Sequence, residues 1–302
     1  MFLSIHVLHM NNMTKKEIYK SKQKNTSSRS FFEGLILIYC VIILGSVFVA
    51  YTLTTFELVN VNYEDMDFDA ILALPFTEGH LLGTDYLGRD IFNRLLMGTQ
   101  AYLIPGLMAV SISIIFGSIL GSLTIFKNRG IKRAISLSTD LLQTMPRLVL
   151  LMLIIAIFEA DIYYIMLVIG VTNIPTVADL VSRRIDILRD KSFIEASIAN
   201  GTPSHTLIGK HILWYNCRIL LIGQASLGMA EAVLMETSLS YLGFGVQEPI
   251  PSWGNMVQTG TNYLLQGNLW SSTIPAFAIM LVLLAFYLIA EVLIKRIDKN
   301  SS

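Results

Sequence analysis

A chain of 302 residues that is 53% hydrophobic and only 15% charged, with a mean hydropathy of +0.59, is no soluble domain, because such domains average about 25% charged residues and rarely hold apolar runs of 20. It is an integral membrane protein. Basic and acidic residues balance at 22 each, so net charge excludes no class of partner and only the placement of charge along the chain is informative. Cys40 and Cys217 lie in or beside apolar runs; they form neither a disulfide framework nor a CxxC metal or redox motif, and read as small packing residues.

The opening MFLSIHVLHM lacks a basic n-region and a small-residue cleavage site, so it is not read as a signal peptide, and Met10 and Met13 are alternative starts. A Lys- and Ser-rich tail, residues 1–33, precedes the first transmembrane helix at 34–56. That stretch is 23 residues without a charge, long enough at about 1.5 Å per residue to cross a hydrocarbon core of roughly 30 Å. Residues 57–100 are mixed and mostly acidic, with turn-forming glycines and a Thr-Asp pair in HLLGTDYLGRDIFNR. A second crossing follows at Ala101–Phe126, where Gly117 and Gly121 stand four apart and let a neighbouring helix approach closely. After KNRGIKR, a third crossing is expected from about Leu141 to Phe158, entered through Met145-Pro146-Arg147. A fourth, Ile162 to about Leu180, follows a tight acidic hairpin. The fifth spans roughly Cys217–Leu239 and the sixth Ile274–Ile294, with Lys295, Arg296 and Lys299 closing the chain and a short cytoplasmic tail at 297–302.

Short cytoplasmic loops are enriched in Lys and Arg. Six crossings with both termini cytoplasmic put 18 of the 22 basic residues on that side. Arg147 and Arg218 then fall at same-side helix ends, and only Arg89 and Arg94 lie opposite. The expected fold is an all-α membrane protein: six transmembrane helices, a core over 101–296 and a cytoplasmic loop at 183–216.

That loop contains FIEASIANGTPSHTLIGKHILW (193–214), a polar, helix-prone island. Its residues predict a helix over Asp190–Asn200 with acidic residues near its N-terminus and Gly201 as terminator. Thr202-Pro203 then reads as N-cap and first position of a second helix. A short helix with a small-residue surface suits a cleft on another protein as well as it suits the membrane surface.

Glu195-Ala196-Ser197, Gly201 and Ile212-Leu213 resemble the EAA loop of permease subunits in bacterial binding-protein-dependent ABC importers, with Ser197 in place of the usual Ala and Trp214 where Pro often follows. LLGTDYLGRDIFNRLLMGTQ (81–100) and ETSLSYLGFGVQEPIPSWGNM (236–256) are similar to signatures of the second permease of oligopeptide, dipeptide and nickel importers. The resemblance implies a type I importer permease in the bacterial cell membrane, passing peptides, nickel or metal chelates. It implies a second homologous permease, two ATPase subunits and an extracytoplasmic binding protein as partners, with ATP and Mg bound by the ATPases and no cofactor or catalytic residue here. Ile194, Glu195, Ala196, Ser197, Ile198 and Gly201 would be the ATPase-coupling residues. No part of the chain points to nucleic acid. Gly209-Lys210 is no P-loop, since Ser204 and His211 occupy its first Gly and its Ser/Thr positions.

Glu231, Glu236 and Ser240 are the pore or substrate candidates. Five residues on a helix separate the two carboxylates by about 140°, so they do not share one narrow pore line. Glu231 either touches a cationic substrate or hydrogen-bonds a neighbouring helix, whereas Glu236 reads as structurally partnered near the outer surface. Gly243, Gly245 and Trp253 belong to an irregular outer segment, either an outer gate or binding-protein contact or a plain exposed loop. Asp85, Arg89 and Asp90 read as a bracing charge network. His205 and His211 are six apart and do not make the i, i+4 metal pair. The rival reading is a secondary transporter driven by an ion gradient, which needs midplane acidic groups in broken helices; Glu231 alone supports it. An intramembrane hydrolase lacks its His, since no histidine falls within a crossing.

Overall fold

The computed structural model describes residues 33–301 apart from 60, 127–128, 145, 158–160 and 190; the side chains of 126, 142–143, 198 and 296–301 are also outside the description. The expected N-terminal tail therefore lies outside the described residues apart from Glu33, and the expected tail at 297–302 is instead, as far as Ser301, a continuation of the last helix. Among them the structure is helical, with only isolated β-bridges in the acidic region.

Five helical segments are long and apolar enough to cross a membrane: Glu33–Thr55, Ile91–Ile125, Ile162–Leu188, Ser204–Tyr241 and Trp270–Lys295. The first is α1. The second contains α2 (Ile91–Gly98) and α3 (Leu103–Ser122), and the third is α6. The fourth contains α8 (Ser204–Thr206), a π-helix (Leu207–Cys217) and α9 (Arg218–Tyr241). The last belongs to α11 (Trp270–Ser301), which follows the short α10 (Trp253–Thr261).

The stretch expected as the third crossing is not one helix. It is α4 (Arg129–Thr144) and α5 (Arg147–Ile155), parted at Pro146. Nine residues rise about 14 Å, too little to cross alone. Proline lacks the N–H that a continuous helix needs and disfavours helical backbone before it, and Pro146 itself is extended, with ψ 110°. The break has a positional consequence. Lys132 pairs with Asp186 near one end of α6, and Thr139 Oγ1 donates to the Pro175 carbonyl at 3.1 Å near its middle. α4 thus climbs along α6 to mid-depth, and α5 begins there. Arg147, expected at a helix end on the cytoplasmic side, sits instead beside the centres of α6 and α9.

Lipid offers no hydrophobic drive between helices, so close backbone approach has to hold the bundle together. α3 and α6 supply it. A Cβ on Gly117 would lie 2.5 Å from Val177 Cβ, and one on Gly121 2.5 Å from the Ala178 carbonyl; Gly170 on α6 abuts the Ala109 backbone in return. Beside this seam, Leu151 and Ile155 of α5 pack with Ile165, Met166 and Ile169 of α6 and with Ala232 and Leu239 of α9. α1 lies outside, against α11, with Tyr39 Oη donating to the Leu281 carbonyl at 2.8 Å. Its remaining face is a sheath of exposed Leu35, Ile38, Val41, Ile42 and Phe48, suited to lipid.

Candidate coupling and translocation sites

At one end of the bundle α7 (Ser192–Ala199) forms the predicted short helix. It ends where expected. Gly201 has φ +69°, and the Thr202 N–H donates to the Ser197 carbonyl at 3.0 Å, the six-to-one bond of a Schellman motif that favours glycine at the left-handed position. Glu195, Ala196, Ala199 and Asn200 are exposed. Ile194 is not. It is buried with Val181, Ile185 and Leu188 of α6 and with Leu207, Ile212 and Cys217. The expectation that Ile194 is an apolar contact for a partner is thereby corrected: its side chain seats α7 on this chain, within a cluster of α6 and π-helix residues. The Ile198 side chain lies outside the described residues. Ser197 Oγ turns back to the Phe193 carbonyl at 2.7 Å.

The second helix of the island differs from expectation in kind. One α-turn after Pro203 leads into an eleven-residue π-helix, where Asn216 Nδ2 donates to the His211 carbonyl at 2.6 Å. π-segments are rare and recur at functional sites; this one joins α7 to the crossing helix α9. Arg189 Nη2 donates to the Thr124 carbonyl at 2.7 Å, and Lys132 and Arg189 both reach Asp186, so the bases of α3, α4 and α6 are clamped beside α7.

At mid-depth Glu231 forms an ion pair with Arg147 and accepts from Asn173 Nδ2 at 2.6 Å. Three elements, α5, α6 and α9, converge on this carboxylate. Glu236 is on another side of α9, wholly buried, and accepts from Ser240 Oγ at 2.5 Å. Ser240 Oγ in turn accepts from the Val246 N–H at 3.1 Å. The two residues named with Glu231 as pore candidates are therefore tied into the turn that follows α9 and are closed to substrate in this conformation. Gly243, with φ +84°, ends α9 in the same manner as Gly201 ends α7, the Phe244 N–H reaching the Leu239 carbonyl at 2.8 Å.

The opposite end is built around Arg89 and Arg94, both almost wholly buried. Arg89 Nε donates to Asp85 at 2.7 Å, Arg89 also pairs with Glu248, and Arg94 Nη2 reaches Glu248 at 3.0 Å. Burial alone would lower the Arg89 pKa, but the hydrogen bond to Glu248 and the charges of Asp85 and Glu248 outweigh it and the net shift is upward. Asp85 and Arg89 thus stand together as the sequence indicates. Asp90 departs from them to cap α2 through the Asn93 N–H at 2.8 Å and to hold His80 Nδ1 at 2.9 Å. Trp253 is only 2% exposed, its ring tilted against that of Tyr102 at 4.8 Å, with Nε1 donating to the Leu95 carbonyl at 2.9 Å. Gly245 is buried against Ser240. Of the three residues assigned to an outer gate or binding-protein contact, only Gly243 is exposed; the other two are core, because the loop folds inward onto α2 and α9.

Arg147, Asn173 and Glu248 were not singled out for these sites. For Arg147 a signal existed, a charge placed directly after a helix-breaking proline within an apolar run.

Residues 113–299 match the family of binding-protein-dependent transport system inner membrane components. The dipeptide transport system permease protein DppC of Alkalihalophilus pseudofirmus is 32% identical over 94% of this chain and 89% of its own length. The oligopeptide transport system permease protein OppC of Haemophilus influenzae is 30% identical over 90% and 87%. The glutathione transport system permease protein GsiD of Pectobacterium atrosepticum is 30% identical over 78% and 77%.

Proposed function

The chain belongs to the family of binding-protein-dependent transport system inner membrane components, and from that membership we propose that it forms half of the pore of an ATP-driven peptide importer in the bacterial cell membrane. Peptide, rather than nickel or a metal chelate, is the cargo that relatives named for dipeptides, oligopeptides and glutathione support. A second permease completes the pore, two ATPase subunits drive it, and an external binding protein delivers cargo. ATP and Mg belong to the ATPases, and this chain carries out no chemical step. The polypeptide crosses six times, α4 and α5 together making the third crossing.

The observation that carries the mechanism is α7. It is a short helix with Glu195 and Ala196 exposed, anchored from beneath by Ile194 and stopped by a left-handed Gly201. When ATP draws the ATPases together, α7 rides with them and pulls on α6 and, through the π-helix, on α9. The ion-gradient reading loses its one support, since Glu231 is neutralised by Arg147.

The test is reconstitution of the four-part complex with its binding protein in proteoliposomes, offering labelled alanine peptides of two to five residues. Wild type should accumulate peptide only with ATP inside the ATPase-facing compartment. Ala196→Trp, which fills the cleft-facing surface, should keep ATP hydrolysis and lose at least about nine-tenths of uptake, the effect of breaking a tightly packed contact. Peptide uptake without ATP, or full uptake by the variant, would overturn the reading.

A further inference from the structure

The group at mid-depth is not sealed within the chain. Arg147 and Glu231 keep 17% and 28% of their side-chain surface exposed. Glu231 lies thirteen residues from the start of α9 and ten from its end, and Asn173 lies near the centre of α6, so both are far from either membrane surface. A charge pair open to hydrocarbon at that depth is costly. The open side must therefore meet water or another protein.

α9 marks the same side independently. Gln224, Glu231 and Ser238 are seven residues apart, hence on one face with a drift of about 20° per step, and each is partly exposed. Ile222, on the opposite face from Gln224, is an exposed hydrocarbon side chain at 56%. The exposed positions of α9 thus include a polar line, with Leu234 beside it, as well as the hydrocarbon side chain of Ile222. Two further features give the polar face a chemistry. Asn173 is 3% exposed, yet its Oδ1 has no hydrogen-bond partner, an uncommon state for a buried carbonyl. α5 begins at this point, so the positive end of its dipole joins Arg147, and broken helices at membrane depth are tolerated where they line a cavity.

We propose that Arg147, Asn173 and Glu231 form a dipolar relay site in the translocation path, between the Gln224 and Ser238 positions, which holds the two charged ends of a peptide. The Arg147–Glu231 pair parts as the peptide passes. Arg147 and the α5 N-terminus take its carboxylate, and Glu231 with Asn173 Oδ1 takes its ammonium; the pair then re-forms behind it. With the pair closed the site is neutral and gives a small inorganic ion no net charge to bind. The site rests on the reading of the chain as half of a peptide pore, and its test separates the two.

The complex is reconstituted in a background with Cys40→Ala and Cys217→Ala, and carries Gln224→Cys, Ser238→Cys or Ile222→Cys. A charged, membrane-impermeant methanethiosulfonate should modify the first two during ATP turnover, with protection by the alanine peptide that wild type imports best, and should spare the third. Uptake of that peptide is then compared with its N-acetylated and C-amidated forms. Glu231→Gln should narrow the preference for the free amino terminus, and Arg147→Gln that for the free carboxylate, each by about tenfold, the weight of one charge-assisted hydrogen bond. Should single variants misfold, the swap Arg147→Glu with Glu231→Arg keeps a pair and should still alter these preferences. Failure of wild type to import any alanine peptide would sink the functional reading. Normal import with Gln224→Cys and Ser238→Cys unmodified, or with terminal preferences unchanged in every charge variant, would sink the relay site alone.

Discussion

Arg94 illustrates how a residue set apart by charge topology becomes structural. As one of two basic side chains on the outer side it contradicted the charge pattern, and the structure resolves the conflict by burying it against Asp85 and Glu248. Glu248 lies 154 positions away, and no local spacing announces such a pairing, whereas Asp85 and Arg89 were legible because they are four apart. Removing one partner of a buried pair leaves the other uncompensated. Glu248→Ala should therefore cost about 1–3 kcal/mol, discounted because Glu248 itself is one-third exposed, read as a lower unfolding temperature of the purified complex. An unchanged unfolding temperature would show that solvent already satisfies both arginines. His80 gives the same region a pH dependence. The hydrogen bond to Asp90 raises its pKa above the ordinary value, against the lowering effect of burial and with help from Asp67. A raised value in the folded state means that the stabilisation is complete below about pH 6.5, the unfolded value, and is lost as pH rises through the folded one. The unfolding temperature should fall between pH 6 and pH 8 in wild type, and the slope should flatten in His80→Gln.

At the level of helices, the sequence disclosed what depends on special backbone positions and missed what depends on depth. The α7 helix and its Gly201 stop were readable because a left-handed turn leaves a glycine in the sequence, and so was the α3 seam at Gly117 and Gly121. Sequence places Pro146 at the entry of one continuous helix, whereas the structure sets it between α4 and α5; hydropathy averages over a break without registering it. The π-helix left no signal at all, since its composition is that of an ordinary amphipathic helix. The burial of Ile194 was likewise out of reach, because a periodic pattern cannot say which neighbour an apolar face meets. Gly121 and Gly209 offer a paired test of the seam. A side chain at Gly121 meets the Ala178 carbonyl and Val181, while a Cβ at Gly209 meets nothing within 4 Å. Gly121→Val should part α3 from α6, costing at least about 1–3 kcal/mol for overpacking and most of the uptake. Gly209→Ala should be neutral or stabilising by about 0.4–1 kcal/mol, from reduced freedom of the unfolded chain. Equal effects from the two would mean that α3 and α6 are not held by close approach.

For the whole molecule the question is which end faces the cytoplasm, and the charge of the two ends favours the one that carries α7. Basic residues crowd the end that carries α7, with Lys132, Arg183, Arg184, Arg189 and Lys210 among them, and short cytoplasmic loops collect such residues. The other end is acidic, knotted by Asp85, Glu248 and two buried arginines, and capped by the stacked Tyr86 and Tyr263, a compact surface suited to an external partner. In the proposed importer an energy source inside the cell would act on α7 and a binding protein outside would deliver to the acidic end, so the orientation is a condition of import rather than a detail of insertion. Leu265, fully exposed beyond α10, and Lys210, exposed beside α7, are the natural reporters. In right-side-out vesicles of the cysteine-free background, Leu265→Cys should react with an impermeant maleimide at once and Lys210→Cys only after permeabilisation. Six crossings require both results. Labelling of both positions from outside would mean an odd number of crossings between α7 and the α10–α11 loop does not hold, and α7 would then be beyond the reach of any cytoplasmic ATPase.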